Sequence, residues 1–172
     1  MKDAPIELAP YSAVWPQLFD EEEKLLAAAL QPWLVGVIEH IGSTAIPGIL
    51  AKPVIDIMAP VHGLEVALPA IEALRSLNYV YFPYKPEEMH WFCKPSPEHR
   101  THHLHLVPRG SASWHRRLAF RNALRRDPNL AAEYEALKLR LAAIHRNDRD
   151  AYTEAKRHFI DSVVARAADS AA

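Results

Sequence analysis

The chain has 172 residues, of which 49% are hydrophobic, 24% charged and 9% aromatic, with a net charge of −1. This is the make-up of one ordinary globular domain, and it excludes intrinsic disorder, which requires low hydrophobicity with high net charge. No run of about 18 apolar residues occurs, so no membrane helix is expected; the single cysteine, Cys93, excludes an internal disulfide framework and a thiolate zinc cluster.

The opening MKDAPIELAPYSAVW carries acids and prolines where a signal peptide needs basic residues and then an apolar stretch, so the expected compartment is the cytoplasm. The charge balance gives no strong nucleic-acid signal, but its distribution is uneven. Asp3, Glu7, Asp20, Glu21, Glu22 and Glu23 crowd the start of the chain. Between 94 and 126, Lys94, Arg100, Arg109, Arg116, Arg117, Arg121, Arg125 and Arg126 face only Glu98. Such a basic segment either holds a phosphate-bearing ligand or forms a solvated helix face.

In chain order, 15–30 reads as a helix, with Pro16 in its first turn and Leu18, Phe19, Leu25 and Leu26 on one face. Glu21 to Glu23 are expected to be solvated. Residues 34–41 (LVGVIEHI) read as a strand, Gly42-Ser43-Thr44 as a turn, and 53–58 (PVIDIM) as a second strand, apolar except at Asp56. A helical period covers 63–77, and 79–84, 90–94 and 102–107 read as strands. From Ser113 onward three helices are expected, at about 113–126, 130–146 and 151–167. The fold class is therefore α+β: one domain over 1–172, a mixed sheet at about 34–108 with flanking helices, and a C-terminal helical segment.

The chemistry concentrates in IEHIGSTAIPGILAKPVIDIM, residues 38–58. A Gly-Ser turn after a strand leaves backbone N–H groups and a hydroxyl free to hold phosphate, which makes Gly42, Ser43 and Thr44 candidates. A lone carboxylate in an apolar strand needs a cation or hydrogen-bond donors, so Asp56 is a candidate metal ligand. In His102-His103-Leu104-His105, strand alternation puts His103 and His105 on one face. Asp56 with two imidazoles would suit a transition metal, or the imidazoles could serve as general acid and base. Lys52 could reach a phosphate or simply precede a strand held extended by Pro53. His40 either faces the site or pins the Gly-Ser turn.

Further along, Tyr134/Lys138 and Tyr152/Lys156 each place a ring beside an ammonium at i, i+4 spacing. Such pairs could stack a base and hold phosphate, or pack a helix with a lysine passing over it. Arg117 and Arg121 belong to a basic stripe with Arg125, opposite Leu118 and Phe120. Cys93 reads as a small buried hydrophobe. No GxxxxGK[ST] loop occurs, which excludes a Walker-type phosphoryl transfer site.

The glycine-serine turn, connector and strand-borne aspartate resemble the nucleotidyltransferase superfamily. There, two aspartates two apart on one strand bind divalent metal and a nucleoside triphosphate. Met58 stands at the second position, and a thioether is a poor ligand for magnesium. More widely, HIGSTAIPGILAKPVIDI, HLHLV, Trp114, Phe120-Arg121, YEALK and YTEAKRHFI resemble the GrpB family of small bacterial proteins. Related domains in that group occur fused behind dephospho-CoA kinase. The resemblance implies a nucleotidyltransferase-like fold and a nucleotide or other phosphate-bearing ligand. It also implies a divalent metal (Mg, Mn or Zn) at Asp56 with His103 and His105, which would carry any catalysis. The alternative is a non-catalytic module that binds a nucleotide or a coenzyme A-like molecule and regulates a partner enzyme.

Overall fold

A computed structural model describes residues 5–169. Both ends of the expected domain, 1–4 with Asp3 and 170–172, lie outside the described residues. Helix α1 (Val14–Leu30) starts with Pro16 in its first turn and buries Trp15, Phe19, Glu22, Leu26 and Leu30. That face is offset from the expected one: Leu18 and Leu25 are exposed, and Glu22 is buried. The reason is long-range, because Lys94 Nζ donates to both Glu22 oxygens at 2.8 and 2.9 Å, giving the buried carboxylate its partner.

The strands are β1 (Glu39–Ile41), β2 (Ile55–Val61), β3 (Val80–Phe82), β4 (His90–Pro95) and β5 (Arg100–Pro108). β1 is shorter than the expected 34–41. Gly36, with φ 98°, turns the chain out of the ladder and leaves Leu34 only an isolated bridge to Val61. A 3-10 turn at Ser43–Ala45 follows β1. The helix expected over 63–77 is reduced to α2 (Ala70–Arg75). Pro69 has no N–H, and the stretch before it closes mostly three-residue turns such as Leu68 N to Glu65 O and Ala70 N to Ala67 O.

At the C-terminal end come α3 (Ala112–Arg126), α4 (Pro128–Ile144), α5 (Arg149–Ala155) and α6 (Arg157–Asp169). Asp127 caps α4 by accepting from the N–H groups of Asn129 and Leu130, with Pro128 at the first position. The single helix expected over 151–167 is two, broken at Lys156.

The sheet order is β1-β2-β5-β4-β3, with β2 and β5 parallel and the other neighbours antiparallel. Its two faces differ. Ile55, Ile57, Ala59 and Val61 of β2, Leu104 and Leu106 of β5 and Phe92 of β4 form the main core with α1 and α2. The opposite face carries Asp56 beside His103 and Met58 beside His105 in the β2–β5 register. α3 covers only the Met58 end of that face, through Trp114 and Leu118. A second core joins Phe120, Leu124, Tyr134 and Val163 to Ile46 and Ile49 of the connector between β1 and β2.

That connector is fastened at both ends. Lys138 Nζ donates to Leu50 O, and Glu135 accepts from Leu50 N. His40 settles the other end: its Nε2 lies 3.0 Å from Thr44 Oγ1, whose hydroxyl donates to Val54 O at 3.2 Å. The His40 ring stacks on Phe19, 4.8 Å between centroids and 7° from parallel. It therefore pins the turn rather than facing Asp56.

Burial lowers the His40 pKa to about 4 from 6.5, so the imidazole is neutral in the fold and protonates first in the unfolded chain. Its contribution to stability is complete above pH 6.5 and is lost as pH falls toward about 4. Urea unfolding at pH 7 and pH 4.5 is expected to show stability dropping at the lower pH. His40→Asn should remove about 2 kcal/mol of that drop.

Candidate functional site

Asp56 sits in an interior strand with 28% of its side chain exposed. Its Oδ1 accepts from His103 Nδ1 at 2.9 Å and lies 4.0 Å from His105 Nε2. Burial works to raise its pKa, but the hydrogen bond from His103, and then the nearby His105 imidazole, overcome this and hold the carboxyl well below the usual carboxylate range. It is ionised at neutral pH. Burial, and then the Arg117 guanidinium, push His105 down to about 4, so that imidazole is neutral. Its Nδ1 lies 3.3 Å from Met89 Sδ. His103 Nε2 is buried without a partner, and its ring leans on Trp91, 5.1 Å between centroids.

Gly42 lies directly on this carboxylate. Its φ of 70° and ψ of −172° belong to a region only glycine occupies comfortably. A Cβ there would overlap Asp56 Oδ2 and stand 2.8 Å from Asp56 Cβ. Ser43 follows, and its hydroxyl approaches the Tyr134 phenol, whose pKa burial pushes up to about 12.

Arg117 and Lys156 lie within electrostatic reach of the carboxylate, and Lys52 stands near Lys156. Lys52 and Lys156 both lie over the Tyr152 ring, 5.3 and 4.1 Å from its centroid. Burial, and next the Lys52 ammonium, lower Lys156 to about 7, while Asp56 draws it back up. Arg117 places Nη2 3.4 Å from Met89 Sδ and Nε 3.4 Å from Ser113 Oγ, within electrostatic reach of Asp56. No carboxylate of the described residues is within ion-pair distance of Arg117 or Lys156.

The other residues singled out in the sequence hold the fold around this site. Thr44 is 1% exposed and bonded as above, and Lys138, also 1% exposed, binds Leu50 O. Tyr134 is buried edge-on to Phe120 and stacked on Phe159. The arginine stripe is not a solvated face at its centre. Arg121 is 8% exposed and pairs with Glu39 and His40 O, while Arg125 Nε donates to Ala45 O at 2.8 Å. Cys93 is buried, as expected.

Met89, Trp91 and Glu135 escaped sequence reasoning, because each meets the site only through tertiary contact. Two open clefts lie away from Asp56. One of about 510 Å³ runs between α1, β1 and α3 and includes His40, Arg121 and Arg125; one of about 420 Å³ lies beside Tyr79 and Tyr81.

The expected divalent metal would take its ligands from Asp56, His103 and His105. A metal-ligating imidazole ordinarily donates its second N–H to an oxygen. His103 meets that condition, since Nδ1 donates to Asp56 and leaves the partnerless Nε2 for a metal, whereas Nδ1 of His105 meets only a thioether. Met58, at the place of a second carboxylate, is fully buried with Ile41, Met89 and Val107. Among the described residues, no group of three or more His, Cys, Asp or Glu is arranged to hold a metal ion. No helix among them is long and apolar enough to cross a membrane.

Comparison with known proteins agrees with this architecture. The GrpB protein family profile matches residues 5–166. A UPF0157 protein of Deinococcus radiodurans is 39% identical over 163 residues, covering 95% of this chain and 82% of that protein. The UPF0157 protein YqkA of Bacillus subtilis is 33% identical over 155 residues, which is 90% of this chain but only 45% of that protein. The crystal structure of the conserved protein GrpB from Enterococcus faecalis superposes with a TM-score of 0.86 at 31% identity, covering 95% of this chain and 98% of that one. The five-stranded mixed sheet with its flanking helices is thus nucleotidyltransferase-like, as the motif suggested. The chain belongs to the GrpB family.

Proposed function

We propose that this protein binds a phosphate-bearing small molecule of the nucleotide class on the open sheet face beside Asp56. The observation that carries this reading is the charge around that residue. One ionised carboxylate lies within electrostatic reach of two cations, Arg117 and Lys156, in a partly desolvated setting. A polyanion is what such a setting attracts. Lys52 and Lys156, both over the Tyr152 ring, would take phosphate oxygens as point charges. Ser43, at the end of the Gly42 turn, is a hydroxyl donor on the same side.

Asp56 and His103 supply the chemistry available at this site. The carboxylate holds His103 through Nδ1, leaving Nε2 as the atom that could accept a proton from, or bond to, a ligand group. A second reading, a binding or regulatory module without transfer chemistry, is favoured by Met58, a buried thioether at the place of a second acid. Asp56→Asn separates the two. Transferase action on a nucleoside triphosphate would be lost in that variant, whereas a binding module shows no turnover even in the wild type.

Binding of ATP and of coenzyme A precursors, followed by calorimetry, tests the reading. Lys156→Met is expected to weaken the ligand that binds by about tenfold, the equivalent of one charge-assisted hydrogen bond. Because Lys156 loses its proton near pH 7, wild-type affinity should be highest below that pH and fall as pH rises through it, a dependence the variant lacks. An equal affinity and pH profile in both proteins would remove Lys156 from the site. Gly42→Ala should cost about 1–3 kcal/mol in urea unfolding, through strain and displacement of Asp56. A neutral result would show that the turn does not rest on the carboxylate.

A further inference from the structure

Met89 Sδ is a junction in this site. Arg117 Nη2 and His105 Nδ1 both meet it, at 3.4 and 3.3 Å, and Met58 packs in the same cluster. Two buried thioethers therefore underlie the end of the site beyond Asp56, with the Arg117 guanidinium against Met89. Thioethers offer little to a hard cation such as Mg²⁺. A guanidinium, in contrast, is permanently charged and presents a planar fork that matches two phosphate oxygens. Arg117 also has no carboxylate of the described residues within ion-pair distance to occupy that fork.

We infer that the protein takes its phosphate-bearing ligand as the metal-free anion, with Arg117 supplying at the Met58–Met89 end the positive charge that a divalent metal would otherwise bring. This rests on the anion-binding reading above. It specifies the form of the ligand: free polyphosphate rather than its magnesium chelate. Arg117 acts as a ligand-binding residue, and Met89 as the positioning residue that holds its fork in place. Asp56 and His103 stay hydrogen-bonded to one another and, with His105 beside them, form the floor on which the ligand rests.

The test is an ATP titration of the intact protein by calorimetry, in EDTA and again with excess Mg²⁺, Mn²⁺ or Zn²⁺, on wild type, Arg117→Met and Arg117→Lys. Wild type is expected to bind in EDTA at least as tightly as with any metal. Arg117→Met should weaken binding in EDTA by about tenfold or more, and Arg117→Lys should recover part of it, as loss and partial return of a charge-assisted fork would. Melting temperatures identify any variant that fails to fold, and the wild-type comparison with and without metal needs no variant. Binding that requires a metal overturns the inference and leaves the anion site intact. Unchanged affinity in folded Arg117→Met overturns the role of Arg117. Binding of ATP under no condition overturns the anion-site reading and this inference with it.

Discussion

The arrangement depends on one ionised carboxylate set in an interior strand. The far face of the sheet is sealed by α1 and α2, so Asp56 cannot turn to water from that side. An ionised group in such a place needs partners, because desolvation without them costs several kcal/mol or more. The partners come from β5. Parallel pairing of β2 with β5 brings His103 alongside Asp56, and the Nδ1 donor closes at 2.9 Å. The Gly-Ser turn depends on the same carboxylate, since Asp56 occupies the space a Cβ at position 42 would need.

A second set of constraints brings the cations to this carboxylate. The connector between β1 and β2 carries Lys52, and α4 clamps it at Leu50 through Lys138 and Glu135. The break between α5 and α6 falls at Lys156, which lies back over the Tyr152 ring one turn earlier. Arg117 arrives from α3, whose Trp114 and Leu118 pack over Met58 and Met89. Three separate segments thus deliver positive charge to one side of the sheet. Buried lysine on an aromatic ring is a strained choice for stability alone, as the depressed Lys156 pKa shows. It is a useful one for holding an anion.

Much of this was legible in the residues. Strand alternation placed His103 and His105 on one face, and the isolated acid in an apolar strand marked Asp56 as needing donors. The tyrosine–lysine spacing anticipated both ring–ammonium pairs. What could not be read was which cations are bonded within the fold. Lys138 and Lys156 look alike in sequence, yet one binds a backbone carbonyl of the connector. Arg117 and Arg121 are one helical turn apart, but only Arg121 meets a carboxylate, Glu39, on a strand 82 positions away. Glu22 was hidden for the same reason, its partner being Lys94. Pairings of this range depend on the completed sheet, and no local pattern encodes them. The metal expectation came from the isolated acid in an apolar strand and from the motif's resemblance. The two imidazoles differ in their tertiary surroundings, one donating to Asp56 with its second nitrogen unpartnered and the other meeting a thioether, and no local pattern distinguishes them.

The central claim is that the face bearing Asp56 is where a phosphate-bearing ligand binds. Its most direct test is a crystal structure of the protein grown with ATP in EDTA. The account predicts phosphate density on that face, with oxygens in hydrogen-bond reach of Lys156 Nζ and the Arg117 guanidinium. Phosphate density confined to the cleft between α1, β1 and α3, against Arg121 and Arg125, would contradict it, because those arginines are assigned here to holding the fold.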